Sequence, residues 1–162
     1  MWQVRLDGKS CKEDKLMINT KDINEARKEI QKLVRAGEKV IVEARDDDFN
    51  RKIFEIKNVD MVVGLEIGGK DRLKQRSSGM NEVIAKLAKK NNIEIGIDLS
   101  KIKGLNLLEK GKVLSRIRQN ISLCKRTKAR IVILGVDGKE ANSLIVSLGG
   151  NTHQGKAAYN KA

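Results

Sequence analysis

The sequence predicts an α/β fold built on a parallel sheet. Two observations carry that expectation. Short runs rich in Val and Ile alternate along the chain with segments of helical periodicity. The runs are also nearly continuous in apolar residues, as strands covered on both faces tend to be. Length bounds the answer: 162 residues suit one compact domain, 1–162, and fall short of the roughly 250 that a complete eight-unit α/β barrel takes. With about six strands and right-handed crossovers, the choice lies between an open doubly wound sheet and a trimmed or open barrel.

Taken in order, Trp2–Leu6 and Lys15–Asn19 carry the fainter strand signals. A helix follows with Ile23, Ala26, Ile30, Leu33 and Val34 on one face; Asp22 and Glu25 have capping-box spacing, and Gly37 supplies a stop. Lys39–Glu43 reads as a strand, and Asp47–Lys57 as a short helix with Phe49, Ile53 and Ile56 inward. Val59–Val63 is the next strand. Met80, Val83, Ile84, Leu87 and Ala88 fit one helical stripe, started by Ser77 or Ser78. Ile93–Leu99 is a strand. Asn106–Thr127 is a long helix with Leu114, Ile117, Ile121 and Cys124 inward. Arg130–Leu134 is the last strand. A helix with Ala141, Leu144, Ile145 and Leu148 then closes at Gly149–Gly150, and a final helical turn starts near Lys156. Proline is absent, so turns rely on Gly, Asn, Asp and Ser.

Charge narrows the function. The chain holds 34 Lys+Arg against 21 Asp+Glu, a net of +13. Residues 1–60 carry 14 basic and 13 acidic side chains, whereas residues 61–162 carry 20 and 8, so the excess sits in the second part. Such an asymmetry suits a polyanion, whether RNA, DNA or an anionic membrane, or it serves solubility. Aromatics are confined to Trp2, Phe49, Phe54 and Tyr159, which disfavours base stacking and favours phosphate and shape contacts. No apolar run has the roughly 20 residues of a bilayer span, and no apolar stretch follows the first residues as in a secretory signal. Cys11 and Cys124 lie far apart, which argues against a disulfide scaffold or zinc site and for a reducing, cytoplasmic setting.

Four groups of residues invite a functional reading. Gly64 to Asp71 fits G-x-x-x-x-G-K after a strand, but Asp71 stands where a magnesium-binding Ser or Thr belongs and no helix follows at once. A Gly-rich connection explains it better. Lys70, Arg72, Lys74 and Arg76 alternate in the same loop, at the strand end where α/β folds present ligand-binding loops. They suit a phosphodiester backbone, against the alternative of a solvated loop. Lys101 and Lys103, then Lys110, Lys112, Arg116, Arg118, Lys125, Arg126 and Lys128, decorate the long helix and the loop before it; only part of this set can face one partner. His153 is the sole histidine and reads as a surface residue. Asp46, Asp47 and Asp48 read as a helix cap, while Glu43 and Asp98 end strands and could face a cleft with a magnesium ion.

The order of motifs resembles the archaeal and eukaryotic ribonuclease P protein component 3 family. Val40–Glu43, Asp47–Arg51 and Val59–Val63 look like the family's strand–helix–strand core. The likeness is best at Lys70-Asp71 and at Ser78–Asn91, where the family has Lys-Asp, a gap, then Gly-Ile-Asp-His-Val-Leu-Ala-Lys-Leu. Ile93–Ile97, Cys124–Lys128, Ile131–Leu134, Ser143–Gly150 and Gln154–Ala158 continue in register, so the similarity covers roughly residues 38–160. The family's Asp-His is Asn81-Glu82 here, its Ser-rich strand end is Gly135–Asp137, and Arg72–Ser77 are extra. Roles resting on that histidine or those serines are not transferred.

The resemblance implies an α/β barrel of the TIM type, related to the polymerase and histidinol phosphatase superfamily, shortened at the N-terminus and not necessarily complete. It implies a subunit of ribonuclease P, the ribonucleoprotein that removes the 5′ leader of precursor tRNA. The RNA performs the magnesium-dependent cleavage; the protein holds no cofactor of its own, binds that RNA and pairs with a second small protein subunit. Lys70, Arg72, Lys74, Arg76, Lys101 and Lys103 are the expected phosphate-neutralising residues, with precursor tRNA met indirectly. The rivals are a stand-alone metal-dependent phosphoesterase using Glu43 or Asp98, and a basic RNA-binding module outside ribonuclease P.

Overall fold

The structure, a computed structural model, describes residues 17–67, 69, 71 and 76–159. Among these residues, five strands form one sheet: β1 (Met17–Ile18), β2 (Ile41–Glu43), β3 (Met61–Val63), β4 (Glu94–Asp98) and β5 (Ile131–Leu134). Every neighbouring pair is parallel, and the strand order is the chain order, β1-β2-β3-β4-β5. The helices are α1 (Ile23–Ala36), α2 (Asp47–Phe54), α3 (Glu82–Asn91), α4 (Leu99–Lys103), α5 (Leu107–Thr127), α6 (Gly138–Ser147) and α7 (Thr152–Ala157).

Sequential order decides between the two expected architectures. A doubly wound sheet reverses its order at a switch point to put helices on both faces. Here no reversal occurs, so crossovers of one hand lay the helices along one face, as in a barrel wall. Closure, which the resemblance leaves open, is absent among the described residues: β1 and β5 do not pair, and the sheet is open. Five tilted strands are too few to close the ring that eight complete. The Trp2–Leu6 strand and Cys11 lie outside the described residues; of Lys15–Asn19, Met17 and Ile18 pair with Ile41 and Val42.

Side chains alternate between two faces. Ile18, Val42, Val62, Ile95, Ile97, Ile131 and Ile133 join the helices in the main core, while Met61, Val63 and Val132 make a second cluster on the opposite face, with Ile41 and Leu134 against it. Gly96 makes that second cluster possible. A Cβ there would stand 2.8 Å from Met61 Sδ and 2.9 Å from Val63 Cγ2. The chain after α7 turns back to β5, where Ile133 N–H donates to Ala158 O at 2.8 Å.

Asp or Asn starts every helix: Asp22, Asp46, Asn81, Asp98, Asn106, Asp137 and Asn151 each accept a first-turn backbone N–H. Asp137–Glu140 and Asn151–Gln154 are full capping boxes. Asp22–Glu25 is not, because the Glu25 carboxylate takes the Thr20 hydroxyl instead. The start of α3 also differs from expectation. Asn81 caps it, not Ser77 or Ser78; Ser78 is buried and its hydroxyl donates to Met80 O. Met80 thereby leaves the helix, and Val83 falls outside the stripe, 59% exposed. The five-residue α4 is too short to show a period and was not expected.

Candidate nucleic-acid interface

The expected basic loop leaves β3 at the C-terminal edge of the sheet. Gly64, at φ 84, makes the turn, and Ile67 N–H closes it on Gly64 O. From there to Asn81 the loop is pinched at a double neck. A Cβ on Gly79 would lie 2.1 Å from Leu65 O, and one on Gly69 would lie 2.4 Å from Ser77 O. Only glycine lets the two limbs approach so closely.

α5 fixes that neck. Val113, Ile117, Ile121 and Cys124 bury one stripe of α5, and Arg116 and Asn120 fall within it, 7% and 0% exposed. The Arg116 fork donates to Glu66 O at 3.1 Å, Gly69 O at 2.5 Å and Asp71 Oδ1 at 3.2 Å. Asn120 Nδ2 donates to Ser78 O at 3.1 Å. Asp71 also takes the Ser77 N–H at 3.0 Å, which, with Arg116 and Arg76 nearby, holds its carboxyl below the usual aspartate range. The sequence groups Arg116 with the cations that decorate α5; the structure makes it a buried clamp. Its place on an otherwise apolar helical stripe was the available signal.

Of the expected phosphate-neutralising residues, Lys70, Arg72 and Lys74 lie outside the described residues. Arg76 stands at the neck, half-exposed, 3.9 Å from Asp71. Lys101, on α4, reaches Glu43 Oε1 at 2.6 Å, and Arg45 reaches the same carboxylate at 3.3 Å. Lys103 is exposed and makes no ion pair among the described residues. The edge thus leaves Lys103 as an open cation, while Arg76 is drawn toward Asp71 and Lys101 is matched by Glu43.

Three carboxylates lie on the same edge. Asp98 caps α4, accepting Ser100 N–H at 2.9 Å and its hydroxyl at 2.6 Å. Glu43 is held by Lys101 and Arg45. Glu66 is fully buried, with neither oxygen hydrogen-bonded to another of the described residues. Burial pushes its carboxyl up to about 7; its own backbone N–H and Lys101 only partly oppose this, and Asp98 adds to it. Glu43 and Asp98, the residues of the phosphoesterase rival, are committed to other contacts, and no group of three or more metal-binding side chains occurs among the described residues. The Gly64–Asp71 match is no nucleotide loop either: the next helix begins at Glu82 and Glu66 is buried within the loop.

His153 is exposed on α7, and burial pushes the Cys124 thiol up to about 12. No helix among the described residues is long and apolar enough to cross a membrane.

No family model matches the chain. Curated proteins named ribonuclease P protein component 3 do. That of Methanococcus maripaludis strain C7 is 25% identical over 116 residues, covering 72% of this chain and 47% of the relative. That of Methanocaldococcus jannaschii is also 25% identical over 116 residues, with the same coverage. The chain therefore spans about half the length of these relatives. Among solved structures, a chain in the cryo-EM structure of archaeal ribonuclease P with mature tRNA superposes with a TM-score of 0.73 at 19% identity, covering 87% of this chain and 62% of that one. The resemblance drawn from the sequence is borne out by relatives of that name, and the α/β fold is shared with the archaeal chain.

Proposed function

We propose that this chain acts as a protein subunit of ribonuclease P, binding and stabilising the catalytic RNA during endonucleolytic removal of the 5′ leader from precursor tRNA. One observation carries the reading: the matched segment contains the clamped basic loop. A 116-residue stretch that starts at residue 1 ends at 116, and one that ends at 162 starts at 47, so any placement includes the double neck and Arg116.

The geometry supports the division of labour. Phosphodiester cleavage needs a positioned metal or an acid–base pair. The edge carboxylates are instead a cap, an ion pair and a buried orphan. What the edge offers is positive charge on a rigid stem. Lys70, Arg72, Lys74, Arg76 and Lys103 neutralise phosphates, while Lys101 is held back by Glu43. Cations placed between RNA helices screen phosphate repulsion and favour the compact, active RNA. Magnesium, and the bond-breaking step, belong to the RNA in this reading. The protein alone is inactive, pairs with a second small subunit, and meets precursor tRNA only through the RNA.

The test is reconstitution of precursor-tRNA cleavage with and without the chain, at low and high magnesium. Charge screening predicts the larger stimulation at low magnesium, because divalent ions replace it at high concentration. No stimulation at either concentration refutes the role.

A further inference from the structure

A second basic surface lies at the opposite end of the fold. The C-terminal ends of α3 and α5, the turn into β5 and the start of α7 enclose a groove of about 570 Å³. Its floor is small and apolar, with Cys124, Ala129 and Ile131 buried beneath it. Its rim carries Lys89, Lys125 and Lys128, all exposed and without an ion pair among the described residues. Arg130 also lines it, drawn 2.8 Å from Glu94. No acidic side chain among the described residues lines the groove. The nearest acid on α3, Glu82, pairs with Lys86 and faces Arg126 outside the groove.

Lysines in a last helical turn complement the helix dipole wherever they point. That does not explain why lysines from two helices converge on one concavity, nor why a third cation, Lys128, sits beyond the end of α5 in the left-handed region, at φ 60. A row of unmatched cations above a shallow apolar floor suits a sugar–phosphate backbone, whose phosphates meet the rim and whose riboses meet the floor.

We propose that this groove is a second phosphodiester-binding surface, so that the chain grips two separate RNA segments, one at the loop neck beside the middle of α5 and one at the C-terminal end of that helix. The inference rests on the RNA-binding reading above. Arg116 at the loop neck and Lys125 and Lys128 at the groove are 9 and 12 residues apart, about 14 and 18 Å along the helix axis. The rigid helix fixes the spacing between the two surfaces.

The probe is a short blunt RNA duplex, with binding stoichiometry read by sedimentation and affinity followed against salt. The groove variant is Lys89→Gln, Lys125→Gln and Lys128→Asn, the last chosen because Asn tolerates the left-handed backbone. The loop variant is Lys70→Ala, Arg72→Ala, Lys74→Ala and Arg76→Ala. The full chain is expected to bind two duplexes and each variant one. The groove variant should also lose up to about 2–3 units of log–log salt slope, at roughly 0.7–0.9 per phosphate contact. Replacing Lys89 and Lys125 with Arg keeps the charge and should keep both duplexes, which separates charge from folding. Two duplexes and an unchanged slope in the groove variant overturn the inference while leaving the RNA role intact. Full binding by both variants overturns that role as well. A groove that prefers polyglutamate to the duplex is a protein-docking surface, and that also refutes it.

Discussion

Glu66 offers the sharpest test of the site geometry. It is fully buried beside the loop neck, neither oxygen bonds another of the described residues, and burial pushes its carboxyl from 4.5 to about 7. The unfolded chain ionises near 4.5, while the folded protein holds the proton until about 7. Between those values the folded state binds more protons, so stability falls as pH rises; below both and above both it is flat. A gap of that size corresponds to about 3 kcal/mol, full at low pH and lost by the time pH passes 7. Glu66→Gln keeps the shape without the charge. The variant should match the parent near pH 4.5 and exceed it by about 3 kcal/mol near pH 8, a quarter or more of a typical domain's stability. Urea titrations across that range, each analysed for midpoint and slope, read the difference directly. A difference between variant and parent that does not change with pH would show that Glu66 is solvated or paired, and the buried-orphan description would fail.

Arg116→Ala should free the neck, leaving Glu66 O and Gly69 O without their donor and Asp71 with only Ser77 and Arg76; a loss of about 2–3 kcal/mol is expected, together with faster proteolysis between residues 67 and 77. Equal stability and equal cleavage rates would remove the clamp from the account. Gly79→Ala puts a Cβ against Leu65 O in a left-handed backbone, so thermal unfolding should drop by several degrees, reflecting more than about 1 kcal/mol; an unchanged midpoint would mean the limbs are not in contact. Converting Lys70, Arg72, Lys74 and Arg76 to Ala should weaken RNA binding and flatten its salt dependence by up to about 0.7–0.9 per lost contact. An unaltered slope would take the loop out of the interface.

Much of the fold was legible because it is written locally. The Val/Ile runs marked four strands to within two residues at each end, and Asp46 and Asn106 by their capping side chains, and Gly37 by its backbone, marked helix boundaries. The candidate site was less so, because its parts are joined over long separations. Nothing near Lys101 in sequence announces Glu43, 58 residues away, or shows that its charge is already matched. Gly69 reads as part of a Gly-rich connection and Gly79 carries no local signal of its own, yet each is glycine because another limb of the backbone passes within a bond length or two of its missing Cβ. Arg116 and Asn120 could have been found, since both interrupt the apolar stripe of Val113, Ile117, Ile121 and Cys124 at i, i+4 spacing. The start of α3 was misplaced because two serines resemble a cap as well as Asn81 does, and only the Gly79 turn distinguishes them.

Strand order equal to chain order has a kinetic consequence. Each strand finds its partner one unit away, so no pairing waits for a distant part of the polypeptide and the relative contact order stays low for a parallel sheet. The sequence also contains no proline, so the imide isomerisation that stalls many refolding reactions for tens of seconds has no bond on which to act. A chain built this way can assemble unit by unit as it leaves the ribosome, each new hairpin-free turn of strand and helix docking on the one before.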